Sequence, residues 1–293
     1  MITSMTPRFE NYANRKIAEA RAARLPGFAT LKDTAETAPD LVRIGSEWTR
    51  RLFDGWFYRT SYDAARRQPV VSLVFVQSAD GNTEADDPST LGGGETDKHL
   101  VYEGLSRIDA DAVLAGASTA AGDEIAFSVW HPELVQLRLD RGLPRHPAQV
   151  IVTQRGRLPV DTALLYNEPS LRVIVIGSTA AAARLRPKLH SRPWIEVIDS
   201  GETVEIRRGL QGLHERGITV VSAIGGRQTA QLLLRHEAVS DLYLTTSPMK
   251  GGAPGTPLMP DPLPGHRVLL AKEGRDAERG IRFEHLAFER AGS

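Results

Sequence analysis

From Pro69 onward the chain repeats one arrangement: a short, almost wholly apolar run, a loop, then a stretch of helical period. Val70–Gln77 (VVSLVFVQ) is apolar and rich in β-branched residues, the mark of a strand covered on both faces. Ala112–Ala115, Gln149–Thr153, Leu171–Gly177, Trp194–Ile198, Ile218–Ile224 and Asp241–Thr246 read the same way. Between them, Thr96–Ile108, Thr179–Leu189, Val204–Arg216 and Gln228–His236 read as helices. Ser178 or Thr179 is placed to cap the second, and Gly217 to stop the third. Strands alternating with helices need crossover connections, and these build a mainly parallel sheet. Arg267–Ala271 and Ile281–Glu289 have no helix between them and read as an antiparallel pair. The expected fold class is α/β: a mixed, mainly parallel sheet with helices on both faces and an antiparallel C-terminal edge.

Residues 1–68 do not share this rhythm, so the chain divides into an N-terminal helical and aromatic arm (1–68) and a main domain (69–293). Arg15 to Arg24 is basic and Ala-rich and suits a helix. Ser46 to Tyr62 holds Trp48, Leu52, Phe53, Trp56, Phe57 and Tyr58, too much apolar surface to leave in water. Such an arm packs on its own domain, packs on a second subunit, or lids a ligand site.

Lys+Arg and Asp+Glu are equal at 36 each, which gives no electrostatic reason to expect nucleic acid or an anionic membrane as partner. The chain has no cysteine, which removes disulfides, thiolate nucleophiles, iron–sulfur clusters and cysteine-bound zinc. The first residues lack an apolar core of the secretory kind, and no stretch has the apolar length to cross a bilayer, so a cytoplasmic location is expected. No phosphate-loop, zinc-protease or nucleophile-elbow motif is present, and no metal site is expected.

In sheets of this kind ligands bind at the carboxyl ends of the strands. The first strand of the main domain runs into Ser78-Ala79-Asp80-Gly81-Asn82, the second into Gly116-Ala117-Ser118-Thr119 with Asp123 beyond, and the third into Thr153-Gln154-Arg155-Gly156-Arg157. The run at Ile218 ends in Ile224-Gly225-Gly226-Arg227-Gln228-Thr229 and then a helix. Paired glycines let a ligand approach the backbone, and a helix start offers free N–H groups and a positive dipole end, a combination suited to phosphate. Arg155 and Arg157 could pair with a second phosphate or lie solvated. Asp80 could bind a polar ligand or close a turn, and Thr119 and Asp123 could do either as well.

These segments resemble the reductase domain of the bifunctional riboflavin-biosynthesis deaminase–reductase and its dihydrofolate-reductase-like relatives. The resemblance rests on Ser78-x-Asp80-Gly81, on Ala110-Asp111-Ala112-Val113-Leu114-x-Gly116-x-x-Thr119, on Asp123, on Gly225-Gly226, and on Val239-x-Asp241-Leu242-x-Leu244 with Pro248. Leu91-Gly92-Gly93 is similar to the single-domain reductases of that family. The resemblance implies NADPH as hydride donor and a pyrimidine-like heterocyclic substrate. It implies cofactor contacts from Thr119, Asp123, Thr153, Gln154, Arg155 and Gly225 to Thr229. It implies substrate contacts from Ser78, Asp80, Asn82 and Ile224, with Asp80 as the catalytic candidate, and a homodimer. The chain departs from the pattern at Ile224, where the family has Glu; at Asn82, where Lys is frequent; at Leu100, where an arginine is expected; and over Glu124–Arg145. The departures leave a folate or pterin, or nucleotide binding without catalysis, as alternatives. His131-Pro132-Glu133 matches the His-x-Glu of a zinc deaminase, but the required Cys-x-x-Cys is missing.

Overall fold

The computed structural model describes residues 5–85, 91–259, 262–263 and 265–288. Ten strands form one sheet in the order β1-β11-β12-β10-β4-β9-β5-β6-β7-β8. They are β1 (Phe28–Asp33), β4 (Val70–Gln77), β5 (Ala112–Gly116), β6 (Ala148–Thr153), β7 (Val173–Gly177), β8 (Ile195–Asp199), β9 (Val220–Ala223), β10 (Asp241–Thr246), β11 (His266–Gly274) and β12 (Arg282–Phe288). From β10 to β8 all neighbours are parallel. β12, β11 and β1 extend the sheet antiparallel. The expected C-terminal pair is present, although Glu289 lies outside the described residues.

The period of two along each strand divides the core between the two faces. Leu73, Leu114, Ile174 and Ile176 point to one side, where α6 (Ile206–His214) and α7 (Arg227–Arg235) cover them with Leu210, Leu213, Leu233 and Leu234. Val74, Val113, Val173 and Val175 point to the other. That face is covered by α5 (Thr179–Leu189), α4 (Pro132–Asp140), α1 (Pro7–Ala22), and a helical stretch that begins as one α-turn, α3 (Gly94–Thr96), and continues as a π-helix (Asp97–Leu105). Ser178 caps α5, its hydroxyl accepting from Ala181 N at 3.1 Å.

The arm is woven into this architecture. β1 completes one edge of the sheet by pairing with β11. α2 (Glu47–Phe53) and a hairpin of β2 (Leu41–Ile44) with β3 (Phe57–Thr60) cover the antiparallel end. Phe28, Phe53 and Phe57 interlock with Phe283 of β12 and Tyr243 of β10. Phe53, Phe57 and Tyr58 of the aromatic cluster are thus buried inside their own molecule, while Trp48, Leu52 and Trp56 stay half-buried. The first helix also lies earlier than its basic run suggests. Thr6 caps it (Phe9 N to Oγ1, 3.3 Å), Pro7 opens it and it ends at Ala22, a start signal that the sequence does carry.

Two acids explain the most specific motifs structurally. Asp111 Oδ2 accepts hydrogen bonds from Thr219 N (2.7 Å), Thr219 Oγ1 (2.9 Å) and Val220 N (3.0 Å), which locks the start of β9 to that of β5. Asp241 is fully buried and accepts from Thr60 N (2.9 Å) and Thr60 Oγ1 (3.0 Å), with His285 Nε2 at 2.8 Å. One carboxylate therefore ties the arm to β10 and β12. Replacing Asp241 with alanine is expected to cost roughly 3–5 kcal/mol, since Thr60 N, Thr60 Oγ1 and His285 Nε2 are left buried without their acceptor. Urea unfolding followed by tryptophan fluorescence measures it.

Candidate active site

Two adjoining cavities open at the carboxyl ends of the parallel strands. The larger is a cleft of about 1790 Å³ running across β9, β5 and β6, and the smaller is a pocket of about 1030 Å³ beside β4. Phe75, Thr83, Tyr102, Glu103, Thr119 and Gly226 line both, so the two spaces meet at these residues.

The cleft is built mainly by loops after strands. The glycine pair after β9 has φ values of 95° and 76°. A side chain on Gly226 would start 3.0 Å from Thr119 Oγ1, while beside Gly225 there is open space. Only glycine meets both demands: a left-handed backbone and a bare approach to the cavity. α7 then begins without a side-chain cap, leaving its first N–H groups for a ligand. Across the cleft stand Arg155 and Arg157, which carry no ion pair or hydrogen bond among the described residues. Arg227, by contrast, is engaged by Glu84 at 3.0 Å. Gln154 faces the same cleft and accepts from Val204 N at 2.9 Å, and Thr153 Oγ1 accepts from Gly156 N at 3.0 Å to close the turn that presents the arginines. Such a groove can hold a phosphorylated ligand.

The pocket is different in character. Val74, Val76, Leu91, Ile224 and Ile281 give it apolar walls, and Asp97 and Glu278 stand within them. Asp97 is 8% exposed and accepts from Thr245 Oγ1 at 2.5 Å. Burial pushes its carboxyl up to about 7, the Thr245 bond opposing and the nearby Glu278 reinforcing the rise. The expected regular helix over Thr96–Ile108 is a π-helix here, and that decides what faces the pocket. Ser106 N donates to Val101 O at 3.1 Å, an i→i+5 bond. A Cβ on Gly104 would lie 2.8 Å from His99 O, so the wide turn needs glycine there. The i→i+5 register brings Asp97 with Tyr102 and Lys98 with Glu103 onto one wall, a local irregularity common at functional sites. Burial raises the Glu103 carboxyl, but contact with His99 (3.0 Å) and the charges of Lys16 and Arg107 outweigh it and the net shift is downward.

The sequence-derived candidates are divided by the geometry. Thr119, Thr153, Gln154, Arg155, Gly226, Arg227, Gln228 and Thr229 line the cleft, and Ile224 and Gly225 line the pocket. Ser78, Asp80, Asn82 and Asp123 line neither of these two cavities. Asp80 is exposed; it accepts from Ser78 Oγ (2.6 Å) and Gly251 N (3.3 Å), and these bonds hold its carboxyl below the usual range. Its position after β4 is that of a turn-former, pinning the 249–256 loop. Asn82 serves the same loop, donating to Gly251 O at 3.0 Å. Asp123 accepts from Thr162 Oγ1 at 3.2 Å and leaves the cleft wall to Glu124 and Ile125. Sequence reasoning missed Asp97, Tyr102 and Glu103, and also the arm residues Arg15 and Lys16, which reach the cleft from α1 and pair with Glu124 (2.6 Å) and Glu103 (3.6 Å). The divergent segment 124–145 is what receives α1: Tyr12 stacks edge-on against Trp130, with ring centroids 5.6 Å apart.

Fold and site together define an α/β protein with two adjoining cavities at the strand ends, a groove lined by several arginines meeting an apolar pocket that carries acids. The chain belongs to the RibD C-terminal domain family, whose model matches residues 69–274. It is 26% identical over 195 residues to a 2,5-diamino-6-ribosylamino-4(3H)-pyrimidinone 5′-phosphate reductase of Archaeoglobus fulgidus, covering 66% of this chain and 87% of the relative. Among solved structures it is similar to a pyrimidine reductase-like protein of Corynebacterium diphtheriae, with a TM-score of 0.62 and 20% identity, covering 76% of this chain and 92% of that one. It is also similar to the riboflavin biosynthesis reductase of Saccharomyces cerevisiae, with a TM-score of 0.53 and 19% identity, covering 75% and 91%. At such identities the structural likeness speaks for the fold. Among the described residues no helix is long and apolar enough to cross a membrane.

Proposed function

We propose that the protein is a cytoplasmic, NADPH-dependent pyrimidine reductase of the riboflavin-biosynthesis type, acting by hydride transfer and working as a homodimer. The observation that carries the reading is the junction of the two cavities at Thr119, Gly226, Phe75 and Tyr102, where a ligand in the cleft would touch one in the pocket. The residues present fit a dinucleotide phosphate: open space beside Gly225, an uncapped helix start at α7, and two unpaired arginines. Gly226 to Thr229 would hold the pyrophosphate, Arg155 and Arg157 the phosphate that distinguishes NADPH from NADH, and Thr119 the nicotinamide end.

NADPH, when bound, supplies the hydride. The chain supplies orientation and a proton. Phe75 and Ile224 form an apolar wall that excludes water and fixes the plane of a heterocycle. Asp97, carrying its proton below about pH 7, donates it to the heteroatom of the bond being reduced, and Thr245 keeps the carboxyl in one orientation. Asp97 replaces Asp80 in the catalytic role.

The test is to follow NADPH absorbance with 2,5-diamino-6-ribosylamino-4(3H)-pyrimidinone 5′-phosphate and, separately, with dihydrofolate. Oxidation with the pyrimidine and none with dihydrofolate is the expected result. The reverse would move the substrate to the pterin class, and NADPH binding without turnover of either would leave a binding protein. Sedimentation at micromolar concentration, expected at twice the chain mass, checks the dimer.

A further inference from the structure

Acids outnumber cations around the pocket. Among the described residues Glu95, Asp97, Glu103, Asp276 and Glu278 line it, against Arg24 and Lys98. Glu95 and Asp276 are exposed, and Glu103 is engaged by His99 at 3.0 Å and by Lys16 at 3.6 Å. Asp97 and Glu278 are buried, at 8% and 9% exposure, and each uses one oxygen inside the protein. Asp97 Oδ1 accepts from Thr245 Oγ1 at 2.5 Å, and Glu278 Oε1 accepts from Thr96 N at 3.0 Å. Among the described residues the other oxygens, Oδ2 of Asp97 and Oε2 of Glu278, have neither a hydrogen bond nor an ion pair. Asp97 already has a part in the reduction; Glu278 has none so far.

Glu278 comes from the short turn Asp276–Glu278 that joins β11 to β12, beyond residue 274, where the matched family segment ends. The turn is held on all sides. Gly274 N donates to Ile281 O at 2.8 Å, Glu278 N to Arg275 O at 2.9 Å, and Ile281 N to Glu278 O at 3.1 Å. Arg275 N donates to Gly27 O at 2.9 Å, which ties the turn to the arm. Two consecutive glycines make room for the acids. A Cβ on Gly94, where φ is 82°, would lie 2.8 Å from Glu278 Oε1, and one on Gly93 would lie 3.1 Å from Asp97 Oδ2. The two carboxyl groups therefore sit against neighbouring residues of one wall, close enough for the charge of Glu278 to act on Asp97. Val74, Val76, Leu91, Ile224 and Ile281 complete the pocket with alkyl surface that offers a polar ring no hydrogen bond.

We propose that Glu278 determines which ring the pocket accepts: its free Oε2 takes an N–H from an exocyclic amino group, and so selects a 2-aminopyrimidin-4-one over the pyrimidine-2,4-dione that carries a carbonyl at the same place. A carboxylate can only accept and an amino group donates, so the two make a charge-assisted hydrogen bond. A ring carbonyl in that position would set acceptor against acceptor in an apolar pocket, with the lone pairs of both left unmatched. Oε1 is committed to Thr96 N, so the side chain cannot turn away to relieve the clash without losing that bond. The inference rests on the reductase reading for the identity of the ring.

The test is calorimetric titration of the NADP⁺-loaded protein with two probes that differ at this position: 2,5-diamino-6-ribosylamino-4(3H)-pyrimidinone 5′-phosphate and its 2-oxo counterpart, 5-amino-6-(5-phosphoribosylamino)uracil. In the unaltered protein the amino ring is expected to bind at least about tenfold more tightly, the size of a hydrogen bond to a charged group. Glu278→Gln keeps an oxygen for Thr96 N and puts an NH₂ where Oε2 stood, so in E278Q the preference should invert toward the 2-oxo ring. A merely structural role for Glu278 would not produce an inversion. Asp276→Asn removes an equal charge from the same pocket and should leave the preference as it was. Equal affinity or a 2-oxo preference in the unaltered protein overturns the assignment without any variant. An amino preference that persists in E278Q, or one that D276N changes as much as E278Q does, overturns it as well. Turnover keeps the two readings apart. NADPH-dependent reduction with no amino preference would sink the Glu278 contact alone; an amino preference inverted by E278Q, with no NADPH oxidised by either ring, would sink the reductase reading alone.

Discussion

Replacing Asp97 with asparagine is expected to lower kcat/KM for the pyrimidine about 100-fold or more and to leave NADPH affinity unchanged. The magnitude is that of a positioned general acid. The side chain keeps its shape, and the amide can still accept the Thr245 hydrogen bond, so the fold should survive the change. What is lost is the proton. The sign of the pH dependence follows from the direction of the shift: burial raises the Asp97 carboxyl to about 7, so the donating form exists below that value and is lost above it. In the unaltered enzyme kcat/KM should fall as pH rises through about 7, and in D97N that limb should vanish. Asp80→Asn is the companion measurement. Asp80 is exposed and outside both cavities, so D80N should retain its turnover. A D97N enzyme with unaltered kcat/KM, or a D80N enzyme that has lost it, would return the acid to the turn after β4.

The second large effect concerns the cofactor. R155A/R157A is expected to reduce the preference for NADPH over NADH by about 100-fold or more, since each charge-assisted hydrogen bond contributes about 1.5–3 kcal/mol. The preference, measured as the ratio of kcat/KM for the two nucleotides, should fall because NADPH weakens while NADH does not. Both arginines line the cleft and neither has an ion pair among the described residues, so their removal breaks none there. A variant that keeps its selectivity would place the distinguishing phosphate elsewhere in the cleft.

Much of the fold can be read along the chain. Val70–Gln77 and Asp241–Thr246 are strands over the very residues expected, and Thr179–Leu189 is a helix behind Ser178, because continuous apolar runs and a capping serine act within a few residues of themselves. The glycine pair and Arg155 lie where strand ends in a parallel sheet must lie. Asp80 stayed ambiguous in the sequence for a physical reason. An Asp-Gly after a strand serves a turn as readily as a ligand, and the deciding partner, Gly251, is 171 residues away. The arm left its packing surface open, because an aromatic cluster announces burial without naming the surface that buries it; here that surface includes Phe283 and Tyr243, far along the chain.

The sequence by itself determined the layered architecture, the order of the strand ends and the phosphate-suited loop at Gly225-Gly226, since periodicity, capping and backbone freedom are properties of neighbours. Only the tertiary structure decided which acids face the pocket. A π-turn closed over Gly104 sets the register of Asp97, Lys98, Tyr102 and Glu103, and an arm from the far end of the chain adds Arg24 and Lys16. Such placements depend on long-range packing, which no local pattern encodes.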